Sequence, residues 1–125
     1  MSSHKILIAD DEPNILISLE FLMKREGYEV ILARNGQEAL DAIAREKPDL
    51  VLLDVMMPIK TGFDVCHEVR SSEHPRDTLI VMLSAKGRDV DIAKGLALGA
   101  NAYMTKPFST KELVQKVQGL LNGTP

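Results

Sequence analysis

The 125-residue sequence predicts an α/β fold in which a single parallel sheet has helices on both faces. Apolar runs of strand length alternate five times with segments whose apolar residues recur at helical spacing. The connections are punctuated mostly by Gly and Pro, and no linker, repeat or low-complexity segment interrupts the alternation. We therefore expect five strands, five helices and one domain over residues 1–125.

The strands are predicted from the short apolar runs. A run of this kind is typical of a strand that is covered on both faces of its sheet. The predicted strands are KILIA (5–9), YEVILA (28–33), DLVLLD (49–54), TLIVML (78–83) and AYM (102–104).

The helices are predicted from apolar residues that fall on one helical face. The first, second and fourth helices cover residues 15–26, 37–47 and 89–99. The fifth opens at Ser109, with Glu112 at the capping-box position. The residues predicted to face inward are Ile15, Leu16, Leu19, Leu22, Met23, Ala39, Leu40, Ile43, Ala44, Phe63, Cys66, Val69, Val90, Ala93, Leu96 and Ala97.

Asp54 is unusual because it lies inside the apolar run LVLLDVMMP (50–58). In a strand that is covered on both faces, an unpaired charge costs several kcal/mol or changes its protonation. Asp54 therefore needs water, a cation or a chemical role. The simplest alternative is a helix cap or a turn acid at the end of the strand.

Other polar side chains also follow predicted strands. The first strand ends in Asp10 and Asp11, the fourth ends in Ser84, and Lys106 follows the fifth. In an open parallel sheet, ligands bind outside the carboxyl ends of the strands. If the first, third, fourth and fifth strands are neighbours, three carboxylates, one hydroxyl and one ammonium converge at the same edge.

Three neighbouring carboxylates repel one another, so one stays protonated unless a cation is present. Oxygen ligands without His or Cys suit a hard cation, and a set this small suits Mg²⁺ better than Ca²⁺. Three carboxylates, one Lys and one Mg²⁺ sum to zero charge. A phosphoryl group could therefore be held there by the metal, Lys106 and Ser84.

Each of these residues also has a simpler explanation. Asp10, Asp11 and Glu12, which precede Pro13, could be cap and first-turn acids of the first helix, where its dipole favours them. Lys106 could be a solvated loop lysine, and Ser84 could be a turn hydroxyl. The simpler explanations do not account for the occurrence of all these residues at strand ends.

The composition argues against several other classes of function. With 15 Lys and Arg against 18 Asp and Glu, the net charge is −3, and without a basic stripe we expect no direct nucleic-acid binding. The one cysteine, Cys66, lies in an apolar helical pattern and is expected in the core. No apolar run approaches membrane-spanning length, so we expect no membrane partner and a cytoplasmic location.

Four motifs make the chain resemble the receiver domain of bacterial two-component response regulators, the group that includes the chemotaxis response regulator. They are ILIADDE, LVLLDVMMPIKTG, VMLSA and AYMTKPF, in this order over essentially the whole chain. The resemblance implies a flavodoxin-like sheet with strand order 2-1-3-4-5. It also implies a signalling protein rather than an enzyme, one that catalyses only its own phosphorylation and dephosphorylation.

The resemblance assigns roles to the residues at the strand ends. Asp54 would accept a phosphoryl group from a phosphohistidine on a sensor histidine kinase or a phosphotransfer protein. Asp11, Asp54 and the main-chain carbonyl of Met56 would bind Mg²⁺. Asp10 would reach the ion through water, and Lys106 would pair with a phosphoryl oxygen.

The same resemblance implies a switch between two states. Ser84 would move toward the phosphoryl group, and Tyr103 would swing inward into the space released. This change would alter the face made by the fourth helix, the fifth strand and the fifth helix, where an unidentified downstream protein binds. From the residues alone, Tyr103 could equally be an ordinary strand aromatic.

Four positions depart from the family pattern or vary within it. Met56 and Lys86 occupy variable sites beside the pocket that are thought to tune loss of the phosphoryl group. Asn101 and Ala102 stand where DNA-binding regulators that dimerise through the switch face usually have two acids. Because the usual intersubunit ion pairs could not form here, we expect a monomer.

Two other classes of protein share part of the pattern. A phosphatase of the haloacid dehalogenase type also uses an aspartyl phosphate, Mg²⁺ and a lysine, but its nucleophile closes the first strand in a D-x-D pattern. Here Asp10 and Asp11 are adjacent. A flavodoxin-like flavin carrier has the expected architecture, but Asp10, Asp11 and Glu12 would repel a flavin phosphate.

Overall fold

The computed structural model describes residues 4–72 and 77–123, and within them the chain forms five strands and five helices in strict alternation. The predicted boundaries agree with the observed ones to within two residues. The strands are β1 Lys5–Ala9, β2 Glu29–Ala33, β3 Leu50–Asp54, β4 Leu79–Ser84 and β5 Ala102–Thr105. The helices are α1 Pro13–Arg25, α2 Gly36–Glu46, α3 Gly62–Ser71, α4 Asp89–Ala97 and α5 Thr110–Leu121.

The strands form one parallel sheet in the order β2-β1-β3-β4-β5, which confirms the order implied by the resemblance. Strand β3 lies at the centre and pairs with β1 and β4, and all five of its residues are buried. The strand order reverses between β1 and β3, where the helices that follow these strands pass to opposite faces of the sheet. The ends of β1 and β3 therefore border the crevice in which such sheets bind ligands.

The core consists of two apolar layers, one on each face of the sheet. On one face α1 and α5 pack against β-strand residues such as Ile8 and Leu52. On the other face α2 and α3 pack against residues such as Leu53 and Met82, and the buried Cys66 belongs to this layer as predicted. Complete burial of a Leu or Ile side chain stabilises the folded state by about 1.5–3 kcal/mol, so the apolar strands fix the positions of the polar residues at their ends.

Side-chain caps explain where several helices begin. Asn35 Oδ1 accepts a hydrogen bond from the Glu38 N–H at 2.9 Å, which caps α2. Ser109 Oγ accepts from the Glu112 N–H at 3.0 Å, so α5 begins where the sequence predicts. Such caps satisfy backbone N–H groups that have no partner within the helix.

The predicted inward face of α4 is wrong. Val90 is 63% exposed and Leu96 is 46% exposed, whereas Asp91 and Gly95 are the buried residues of this helix. Asp91 can be buried because Arg88 Nε donates to its Oδ2 at 3.0 Å. The other residues predicted to face inward but found exposed are Ala44, Ala93 and Ala97.

Two neighbouring stripes of α4 could each have covered the sheet. Side-chain hydrophobicity favours the apolar stripe, but the stripe that contains Gly95 faces the sheet, because a Cβ atom at Gly95 would lie 2.8 Å from Met82 Sδ. A glycine allows the helix to lie close to the sheet, but glycine adds nothing to the hydrophobic periodicity from which the inward face is predicted. The apolar stripe of α4 is consequently left at the surface.

Ile59 has a backbone conformation that β-branched residues rarely adopt. It lies in the loop between β3 and α3 with φ of 70°, and its side chain is 74% exposed. Left-handed backbone costs an L-residue roughly 1–2 kcal/mol, whereas Asn tolerates it. We therefore expect Ile59→Asn to raise the free energy of unfolding by about 1 kcal/mol in urea titrations.

Ile17→Asn is the matched control for this substitution. Ile17 is also exposed, but it lies within α1, so Asn there should leave the stability unchanged or lower it slightly. An Ile59→Asn variant that is no more stable than the parent protein would show that the conformation of residue 59 costs nothing.

None of the helices in the described part of the chain combines the length and the apolarity needed to cross a membrane.

Candidate functional site

The strand-end residues singled out in the sequence meet at the carboxyl edge of the sheet. Asp10 follows β1, Asp54 ends β3, Ser84 ends β4 and Lys106 follows β5. Carboxylate oxygens of Asp10, Asp11 and Asp54 lie within 4.8 Å of one another. All three predicted carboxylates thus lie together, as expected from the pairing of β1 with β3.

Lys106 is an integral part of this cluster and not a solvated loop lysine. Its Nζ lies 3.1 Å from Asp10 Oδ2 and 3.4 Å from Asp54 Oδ1. Its main-chain N–H donates to the Ser84 carbonyl at 2.7 Å, and its peptide bond to Pro107 is cis. The ammonium is thus directed between two of the acids by a backbone that is bonded to the end of β4.

The simpler explanation, a helix acid, accounts for only part of the role of Asp10. Its Oδ1 accepts from the Glu12 N–H at 2.9 Å, which fixes the turn before α1. The N-cap of α1 is Glu12, and no side chain caps this helix. Asp10 is almost completely buried while Asp11 is exposed, so Asp10 holds the turn and Lys106 while Asp11 faces solvent.

The site has an excess of negative charge. Burial, together with the charges of Asp10 and Asp11, raises the pKa of Asp54 to about 6 against the opposing effect of Lys106. Burial alone would lower the pKa of Lys106, but the charges of Asp54 and Asp10 outweigh it and raise that pKa above its ordinary value. One ammonium therefore does not balance the acids, and a cation bound beside them would favour the ionised form of Asp54.

The described residues fit a hard divalent cation. The three convergent side chains offer only carboxylate oxygens, and the carbonyl of Met56 lies two residues beyond Asp54 in the chain. A few carboxylates supplemented by waters suit Mg²⁺, whereas Ca²⁺ usually takes more protein oxygens. Asp11 is exposed and Asp54 is buried, so the cluster is open to solvent on one side.

The loop after β3 is packed tightly against the end of that strand. Val55 N–H donates to the Leu83 carbonyl at 3.2 Å, and Gly62 N–H donates to the Val55 carbonyl at 2.9 Å. A Cβ atom at Gly62 would lie 2.5 Å from the main-chain oxygen of Asp54. Asp54 is therefore held from both sides, by β4 and by the start of α3, and its carboxylate has a fixed direction.

The two predicted switch residues are linked by a residue whose main chain the sequence analysis did not consider. Ser84 is fully buried, and its Oγ accepts from the Lys86 N–H at 3.0 Å. The Tyr103 hydroxyl donates to the carbonyl of the same Lys86 at 2.6 Å. Because every residue except proline provides these main-chain groups, no side-chain signal in the sequence could have indicated the link.

Asn101 has a structural role at a position where DNA-binding regulators that dimerise through the switch face usually have an acid. Its Oδ1 accepts from the Ile80 N–H at 2.8 Å and from Arg70 Nη2 at 2.9 Å. These bonds join the start of β4, the end of α3 and the loop before β5.

Comparisons with known proteins agree with this geometry. The family model for the response regulator receiver domain matches residues 6–118. A receiver domain from a Francisella response regulator is 31% identical, with 98% of this chain and 100% of that chain covered and a TM-score of 0.91. The chemotaxis protein CheY4 of Vibrio cholerae is 32% identical over 94% of this chain and 98% of that chain, with a TM-score of 0.86.

A third similar structure contains a metal. The receiver domain of the sensor histidine kinase PA1611 from Pseudomonas aeruginosa has a magnesium ion coordinated in its active site cleft. The two sequences are 29% identical. The match covers 97% of this chain and 99% of the Pseudomonas aeruginosa chain, with a TM-score of 0.87. The match of the family model over most of the chain, on a sheet with the expected strand order, shows that this chain belongs to the response regulator receiver domain family.

Proposed function

We propose that this receiver domain is the phosphoacceptor switch of a two-component phosphorelay, in which Asp54 takes a phosphoryl group from a phosphohistidine. The donor is a sensor histidine kinase or a phosphotransfer protein. The observation that supports this most directly is the position of Asp54. It is only 6% exposed at the end of the central strand, yet its carboxylate lies among two acids and Lys106 at an open edge.

Asp11, Asp54 and the main-chain carbonyl of Met56 would hold Mg²⁺, with Asp10 contributing through water. The magnesium ion in the similar Pseudomonas aeruginosa structure supports this assignment. When bound, Mg²⁺ would offset negative charge on the oxygens of the transferring phosphoryl group. This would also lower the pKa of Asp54 from its raised value and keep the carboxylate ionised as a nucleophile.

In the transfer itself, an Asp54 carboxylate oxygen forms a bond to phosphorus while the P–N bond of the phosphohistidine breaks. The electron pair of that bond stays on the imidazole nitrogen of the donor. Lys106 Nζ, which already lies 3.4 Å from Asp54 Oδ1, pairs with a phosphoryl oxygen as the new acyl phosphate forms. The Ser84 hydroxyl donates to a second oxygen.

The output is a change of state and not a released product. Water later hydrolyses the acyl phosphate and restores Asp54, so the chain acts on no substrate other than its own phosphoryl group. Contacts of the phosphoryl group with Ser84 and Lys106 would favour one arrangement of α4, β5 and α5, and a downstream protein would bind that arrangement. Family membership favours this function over the phosphatase and flavin-carrier alternatives.

Incubation with a small acyl phosphate tests the proposal directly. Intact-mass spectrometry should show one phosphoryl adduct in the presence of Mg²⁺ and none after a chelator is added. Peptide mapping should place the adduct on the segment that contains Asp54. An adduct on another segment, or equal labelling without Mg²⁺, would contradict the assignment.

We expect Asp11→Ala and Lys106→Ala to separate metal binding from phosphoryl transfer. Loss of the exposed Asp11 carboxylate should weaken Mg²⁺ binding on the order of tenfold or more and slow phosphorylation accordingly. Loss of the Lys106 ammonium should leave Mg²⁺ binding intact or tighter, because a positive charge is removed, while phosphorylation is impaired.

Both variants can be followed by NMR shifts during Mg²⁺ titration and by the rate at which the adduct appears. Glu12→Ala is the control, since Glu12 is an exposed acid next to Asp11 that is outside the carboxylate cluster. Equal Mg²⁺ affinity in Asp11→Ala and in the parent protein would show that the metal site lies elsewhere.

A further inference from the structure

Gly95 lies on the side of α4 that faces the sheet. It is one of two buried residues of this helix. A Cβ atom at this position would lie 2.8 Å from Met82 Sδ and 3.0 Å from Tyr103 Cδ2. The Tyr103 ring thus occupies space that exists only because residue 95 has no side chain.

This position of the ring allows the Tyr103 hydroxyl to reach the Lys86 carbonyl at 2.6 Å. The N–H of Lys86 donates to Ser84 Oγ at 3.0 Å. Because Ser84 Oγ accepts in this bond, its own proton remains available for an oxygen of a phosphoryl group. A continuous series of contacts therefore connects Gly95 of α4 to Ser84 at the edge of the pocket, through the Tyr103 side chain and the Lys86 backbone.

We propose that Gly95 determines how much of the population has Tyr103 bonded to Lys86, and thereby sets the affinity of the pocket for a phosphoryl group. The first half concerns the structure of the chain alone, and the second half rests on the proposed function. With Lys86 held by Tyr103, Ser84 is already in place for the phosphoryl group, so less ordering accompanies binding.

A methyl group at residue 95 would crowd both Met82 Sδ and the Tyr103 ring, so both side chains must shift. Met82 is completely buried between Leu53 of β3 and Tyr103 of β5, so its Sδ can shift only within the core. Tyr103 is only half-buried and has solvent on one side. The ring can therefore move outward. This movement takes the Tyr103 hydroxyl away from the Lys86 carbonyl and breaks their hydrogen bond.

Fluorine NMR of protein labelled with 3-fluorotyrosine tests the first half of the proposal. The chain has two tyrosines, so Tyr28→Phe leaves Tyr103 as the single reporter. In that background, Gly95→Ala should move the Tyr103 resonance toward the shift of a solvated tyrosine and increase its relaxation by a soluble paramagnetic probe. Gly119→Ala, the same exchange inside α5, should leave the resonance unchanged.

Titration with beryllium fluoride, a stable mimic of the phosphoryl group, in the presence of Mg²⁺ tests the second half. Gly95→Ala should weaken its binding by about threefold to tenfold, while the affinity for Mg²⁺ alone stays the same. In a Tyr103→Phe background, Gly95→Ala should have no further effect, because the bond that it disrupts is already absent.

Each result decides one part of the proposal. An unchanged Tyr103 resonance in Gly95→Ala would overturn it entirely. A shifted resonance with unchanged beryllium fluoride affinity would overturn the link to the pocket. If the parent protein does not bind beryllium fluoride, the proposed function fails, and the fluorine spectra still decide whether Gly95 positions Tyr103.

Discussion

Replacing Asp54 by Asn is expected to abolish phosphorylation and, at the same time, to make the folded protein more stable by about 1–3 kcal/mol at neutral pH without Mg²⁺. Burial and the neighbouring acids Asp10 and Asp11 raise the pKa of Asp54 from near 3.8 to about 6. Its charged form is therefore disfavoured in the folded state. An amide of the same shape removes that charge and keeps the packing.

The dependence on pH follows from the direction of the shift. Between about pH 4 and pH 6 the folded state binds a proton at Asp54 that the unfolded state has already released. The stability that this proton provides is fully present below about pH 4 and is lost as the pH rises through 6. The advantage of Asp54→Asn should thus be absent at pH 3.5 and should reach its full size above pH 6.

Urea unfolding at several pH values, with and without Mg²⁺, measures this effect. Added Mg²⁺ should stabilise the parent protein more than the variant, because the ion favours the ionised carboxylate. Asp41→Asn is a suitable control, since Asp41 is exposed on α2 and is bonded only to Gln37 among the described contacts. An Asp54→Asn variant less stable than the parent at pH 7 would show that the site is not strained by its charges.

Gly62→Ala should destabilise the fold by about 2 kcal/mol or more and should also slow phosphorylation. The added Cβ would lie 2.5 Å from the Asp54 carbonyl oxygen and 2.9 Å from Val55 Cα. Both atoms belong to the backbone, so no side-chain rotation can relieve the contact. Relief requires a shift of α3 away from the end of β3, and this shift would also move the Asp54 carboxylate.

Gly87→Ala is the matched control for this prediction. Its Cβ would also make a short contact, 2.6 Å, but with Thr105 Cγ2, the methyl group of an exposed side chain. Rotation of that side chain can relieve the contact at little cost. In urea unfolding, Gly62→Ala should therefore lose more stability than Gly87→Ala. Equal losses would mean that the backbone between β3 and α3 shifts as easily as a surface side chain rotates.

The sequence predicted the elements and the candidate site because both depend on apolar runs with polar ends. Buried parallel strands such as β3 are continuous apolar runs, and such runs are recognised without any alternation of polar and apolar residues. Parallel strands also bring their carboxyl ends to one edge of the sheet. Asp10, Asp54 and Lys106 could therefore be placed together before any contact was seen. The strand order itself came from the resemblance to receiver domains and not from periodicity.

The features that the sequence did not reveal depend on backbone contacts and close approach. The wrong face was assigned to α4 because Gly95 contributes to packing through its missing side chain. Lys86 links Ser84 and Tyr103 through main-chain groups that every residue except proline has. Asn101 was considered only as a missing acid, although its side chain bonds to Ile80 and Arg70.

The sparse burial of α4 bears on how its hydrogen exchange will compare with that of the rest of the fold. Only Asp91 and Gly95 are buried in α4, and the glycine has no side chain to bury, whereas α1 buries four apolar side chains. Local opening of a segment costs little free energy when little apolar surface is exposed by it. The amide hydrogens of α4 should therefore exchange through openings far below the free energy of global unfolding. If the proposed switch couples the pocket to α4 by about 1–3 kcal/mol, that energy is enough to reorder this helix while the sheet stays closed.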